Sequence, residues 1–271
     1  VESINLKIMS RKQEIWGKHE GKTSEITRLR GGYCSLGMQS ITGGWLIQYE
    51  KANELAGELS LGLTTDNQSI AEAQVYQTGR SSVLHILPAM PPKPIVFRNS
   101  KKISIRQHQS LRIYLAVPLY IQLYYKQVES DNLLCEFETE RLSDTWFGEP
   151  DSGTPAFTVG SRFALQAKEL AAQPHEIIVP VNILNNSSQL LDLQRLLVRV
   201  DLMNIYLVNH QLIADLGTIE FKGQGHTGQL NFATDKTIHG ATPHQIAKSR
   251  IASNRTILGH SFHVIKQITQ L

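Results

Sequence analysis

Apolar and polar residues alternate along most of the chain with a period of two, the signature of half-buried strands. Ile4, Leu6 and Ile8 are separated by Asn5 and Lys7, and Leu59, Leu61 and Leu63 share one face of residues 58–63. Residues 45–49 follow the turn pair Gly43-Gly44. Further strands are predicted at 83–87, 95–97, 103–105, 133–138, 176–184, 196–202, 205–208, 212–215 and 218–222, each near Gly, Asn, Asp, Ser or Pro. Asn209-His210 reads as a turn between two of them. The apolar run 113–125 has Pro118 near its centre and reads as one strand with a bulge or edge at the proline. Residues 88–94 hold Pro88, Pro91, Pro92 and Pro94. Proline removes ladder donors, so this stretch reads as an extended crossover. A polar turn at Asn99-Ser100-Lys101 is predicted between 95–97 and 103–105.

Helical signals are sparse. Asp66 is a candidate N-cap for a helix over 66–77. Thr242-Pro243 carries the cap and first-turn proline of a second. Residues 161–173 have helical composition but strand-like alternation at Phe163, Leu165 and Ala167. Strands every 8–12 residues without sustained helical period predict a mainly β fold. The expected architecture is two antiparallel β-sandwich-like domains with few short helices. The N-terminal domain would span 1–129, and the C-terminal domain, with a tail, 130–271.

Composition narrows the class. With 41% hydrophobic and 19% charged residues over 271 positions, the chain is globular rather than disordered. A net charge of +3 argues against a nucleic-acid binder, which needs a concentrated Lys/Arg surface. The basic set Arg98, Lys101, Lys102, Arg106 and Arg112 instead reads as the solvated face of an edge hairpin. Cys34 and Cys135 form no CxxC pair and are expected as free thiols in a reducing compartment. Residues 1–20 carry no apolar signal-peptide core, and the run 113–125 falls short of the ~20 residues of a membrane helix. A cytoplasmic protein without a transmembrane segment is expected.

Candidate chemistry is thin. No GxSxG, HExxH, P-loop or GxGxxG motif is present. Gly31-Gly32 reads as a turn, and Gly223-Gln-Gly-His-Thr-Gly228 as loop punctuation. His226, His239, His244, His260 and His263 collect late, but no carboxylate or cysteine accompanies them at ligand spacing. No metal and no cofactor are expected, and no catalytic residue is assigned. The most unusual segment is 144–155, where Trp146 and Phe147 sit among Gly148, Pro150, Gly153 and Pro155. Such a rigid loop either plugs the core between two domains, the favoured reading, or presents its aromatics to a partner or ligand. In the second case Trp146, Phe147, Asp144, Glu149 and Arg162 are the candidate binding residues.

Two stretches carry a resemblance. Pro88-Ala-Met-Pro91-Pro92-Lys-Pro94, a strand pair and then Leu111–Tyr124 lead to Pro118. Trp146-Phe147-Gly148-Glu149-Pro150 with Gly153 follows, and then a strand ending in an Asn turn at 177–186. Over residues 85–220 this order resembles an uncharacterised prokaryotic domain-of-unknown-function family, number 432. Ala116-Val117 stands where that family has an aromatic before the proline, and Thr145-Trp146 replaces its Leu-Tyr step. The resemblance implies no catalytic residues. It implies an accessory or regulatory role beside small-conductance mechanosensitive channels. The combined expectation is a non-catalytic binding or interaction protein, accessory to a membrane channel or transporter. The alternative is an enzyme acting on a carbohydrate or small anion through the Trp146 loop and the late histidines. Homo-oligomeric assembly through exposed strand edges is a third reading.

Overall fold

The computed structural model describes residues 15–64, 70, 72–159, 163–223, 229–251 and 265–266. The chain is mainly β with very little helix, as the alternation predicts. It divides into two compact units, each built from two separate stretches. The first combines Val1–Leu87 with Ile121–Thr139, and the second Pro88–Tyr120 with Glu140–Leu271. The division expected after residue 129 falls inside Ile121–Thr139, which belongs to the first unit.

The first unit contains β1 (Gly17–Glu20), β2 (Ile26–Ile41), β3 (Gly44–Thr64), β4 (Gln74–Gln77), β5 (Val83–Ala89), β8 (Tyr120–Tyr125) and β9 (Leu133–Glu138). One sheet has the order β1-β5-β8-β9 and the other β2-β3-β4. β2 and β3 form a long antiparallel hairpin in which Cys34, Leu36 and Met38 alternate into the core. Gly43 turns the hairpin at φ +85°. Its neighbour Gly44 is required for a different reason: a Cβ there would collide with Tyr76 O on β4. Gly31-Gly32 is not a turn. It lies within β2, where Gly32 takes φ +60° and the register shifts on both sides of it, a β-bulge. Tyr49 on β3 stacks on Phe137 of β9 with ring centroids 5.0 Å apart, joining the two sheets. The helix expected over 66–77 is corrected in its last turn, since Gln74–Gln77 pairs with Gly44–Ile47 as β4. Most of its first half, and the strand expected at Ile4–Ile8, lie outside the described residues.

Both cysteines of this unit are free. Burial pushes each thiol up to about 12, and Tyr76 hydrogen-bonds Cys135. The thiolate is the nucleophile, so both residues are expected to react sluggishly with an aromatic disulfide reagent at neutral pH and at full rate in denaturant. Rapid labelling of the folded protein would contradict this.

The second unit contains β6 (Ile95–Ile105), β7 (Gln109–Pro118), β10 (Ser143–Phe147), β11 (Thr154–Thr158), β12 (Phe163–Ala164), β13 (Glu176–Asn185), β14 (Leu191–Val198), β15 (Ile205–Val208), β16 (Gln211–Ala214), β17 (Leu216–Phe221), β18 (Gln229–Ala233), β19 (Gln245–Ala247) and β20 (Ile265–Lys266). A five-stranded sheet has the order β10-β11-β6-β14-β20. A larger sheet has the order β12-β7-β13-β16-β15-β19, with β17 also on β13 and β18 on β17. Phe97 of the first sheet meets Phe163 of the second edge-to-face at 5.1 Å, the contact of a sandwich interior. β13 is paired on both sides, antiparallel to β7 and parallel to β16 and β17. Its near-continuous apolar run Ile177–Val181 is buried accordingly. The sheets are therefore mixed rather than purely antiparallel.

Several local readings change. Asn99–Lys101 does not reverse the chain; it lies within β6 (Ile95–Ile105), where the register with β14 shifts. β6 pairs with β11 only at Ile95 and Val96, and with β14 over 95–98 and 103–105. Arg98 faces Arg195 across the ladder, and Arg112 on β7 pairs with Asp235 at 3.2 Å. Pro118 ends β7 outright, and the apolar run continues as β8 in the other unit, so 113–125 is two strands. Thr242-Pro243 starts no helix, and Gln245–Ala247 is β19. The described α-helix is the single turn α1 (Lys236–His239), whose N-cap Asp235 accepts from Thr237 N. The Asn209-His210 turn is as predicted, with φ +48° and +66° between β15 and β16. Among the described residues no helix is long and apolar enough to cross a membrane.

Candidate functional site

β10 carries three of the residues singled out in the sequence. Asp144 and Trp146 lie two apart and share a face, and Phe147 points to the other. The split decides their fates. Phe147 is 3% exposed and packs with Val96, Ala156 and Leu197, all in its own unit. Trp146 is 44% exposed. The expected plug between two domains is therefore corrected: Phe147 is core of one unit, and Trp146 is surface.

The turn after β10 locks the indole. Trp146 Nε1 donates to Glu149 O at 2.8 Å, and Gly153 N donates to the same carbonyl at 2.8 Å. Gly153 has to be glycine, because a Cβ there would run into Trp146 Nε1 and lie 2.7 Å from Phe147 O. Gly148 supplies φ +110°. Beside the indole, Lys93 Nζ pairs with Asp144 Oδ1 at 2.6 Å and sits 4.7 Å over the Phe157 ring. Arg195 reaches across the sheet, donating to Trp146 O at 3.1 Å with its guanidinium 5.2 Å over Phe147. Burial, then the charge of Arg98, pull Arg195 below its ordinary value. Glu149 contributes its backbone carbonyl, and Arg162 lies outside the described residues.

Of the late histidines, His226, His260 and His263 lie outside the described residues. His239 is buried, edge-to-face with Tyr206, its Nε2 2.8 Å from Ala214 O. His244 is exposed, and its carbonyl accepts from Leu207 N at 2.9 Å.

The structure assembles a third set that sequence reasoning passed over. Ligand-type atoms of Glu140, His175 and Glu176 lie within 4.8 Å of one another. His175 is 1% exposed and Glu176 3%. His175 precedes β13, in the turn after Pro174, so the strand rule that sends neighbours to opposite faces does not separate it from Glu176. The visible signal was a His-Glu pair entering an apolar strand; nothing in the sequence ties it to Glu140.

The family model for a protein of unknown function, DUF432, matches residues 15–266. No curated protein and no solved structure matches the chain.

Proposed function

The chain belongs to the DUF432 family, and on that premise we propose that it is a non-catalytic binding protein whose contact point for a protein partner is Trp146. One observation carries the reading: the indole N–H is already satisfied by Glu149 O, so the exposed ring offers only its apolar surface outward. A ring held this way loses little conformational entropy on docking, the property of an interface anchor. The Lys93–Asp144 pair beside it supplies a polar rim. A small-conductance mechanosensitive channel is the partner class the family resemblance suggests, which makes the protein a cytoplasmic accessory.

The test is binding to that channel, purified in detergent from the same host. Trp146→Ala is expected to weaken capture by about 30-fold or more, the loss of a hot-spot aromatic, with the melting temperature nearly unchanged. Equal affinity of parent and variant would overturn the assignment of Trp146. No capture by the parent would overturn the channel.

A further inference from the structure

We propose that Glu140, His175 and Glu176 form a binding site for a divalent transition-metal ion, with zinc the fitting probe. The donor set is one imidazole and two carboxylates, which suits such ions. His175 Nε2 lies 3.5 Å from Glu140 Oε2. Donors about 2.0–2.2 Å from a tetrahedral ion are separated by roughly 3.4 Å, so this pair already stands at ligand spacing. The three atoms together span no more than 4.8 Å. Glu140 is the solvent-side member, its side chain about one third exposed.

The two buried members are held in place by the backbone. Leu119 N donates to His175 O at 3.0 Å, and Glu176 N to Gln173 O at 2.9 Å. Gln173 N in turn donates to Glu176 Oε2 at 2.7 Å, the outer-shell contact that orients a ligating carboxylate. Two carboxylates beside one imidazole are a donor set whose charge suits a dication. Three protein donors leave a fourth position to water. The site ties the chain after β9 to the entry of β13, the strand on which the larger sheet is built, so the bound ion acts as a structural clamp.

The experiment uses the full chain, stripped with a chelator and titrated with zinc. One equivalent is expected to bind and to raise the melting temperature by about 5 °C or more at saturating zinc, since a ligand of the folded state stabilises it. Glu140→Gln, on the partly exposed ligand, is expected to weaken binding on the order of 100-fold while the metal-free variant melts with the metal-free parent. Cobalt(II) gives a readout that depends on no variant. Visible d–d bands without a thiolate charge-transfer band are expected from nitrogen and oxygen donors. Absence of zinc uptake and of any melting shift would overturn the site. So would undiminished affinity in Glu140→Gln, or a thiolate band placing the metal at Cys34 or Cys135.

Discussion

Phe147→Ala is expected to destabilise the protein by about 3–5 kcal/mol, and Trp146→Ala, one residue earlier, by less than about 1 kcal/mol. The contrast follows from strand geometry. The Phe147 ring is 3% exposed against Val96, Ala156 and Leu197, so truncation removes its transfer free energy and leaves a cavity. It also removes the ring beneath the Arg195 guanidinium. Trp146 keeps nearly half its surface in water, and its truncation chiefly releases one hydrogen bond to Glu149 O. Urea unfolding of both variants measures the difference. Equal shifts in midpoint would show that the two aromatics share one environment.

Asp201→Ala is expected to cost a similar 3–5 kcal/mol, by an electrostatic route. Arg199 grips this carboxylate twice, Nη2 to Oδ2 at 2.6 Å and Nε to Oδ1 at 2.9 Å. The side chains are 15% and 3% exposed. Removing one member of a buried pair leaves the other charge desolvated without its counterion, which is why the single change is so costly. The double variant Arg199→Ala/Asp201→Ala should therefore be less destabilised than Asp201→Ala alone. A double variant destabilised by the full sum of the two single changes would show that the residues do not act as a pair.

What the sequence disclosed was local. The strands at 133–138 and 205–208 and the turn at Asn209-His210 each follow from short-range sterics or burial. Partner choice was hidden, because pairing depends on residues far apart in the chain. Asn99-Ser100-Lys101 has turn composition but lies within β6, at the register shift between the two stretches that pair with β14. Thr242-Pro243 has cap chemistry but enters a strand that β15 recruits. In the candidate site, the unusual Trp-Phe step was legible; that the strand would send its members to opposite faces required knowing that 143–147 is a strand. Glu140 and His175 meet only through tertiary structure.

The interleaving of the two units has a consequence for synthesis. The chain leaves the first unit after Leu87, spends Pro88–Tyr120 in the second, and returns for Ile121–Thr139. During translation β7 therefore emerges well before β13, the strand that covers its whole length from Gln109 to Pro118. At about 5–20 residues per second that interval lasts seconds. Throughout it the nascent chain carries Ile113, Leu115 and Val117, all fully buried once folding is complete, on a strand whose full-length ladder partner has not yet been made. Any fragment cut between the two strands keeps that apolar strand without β13 permanently.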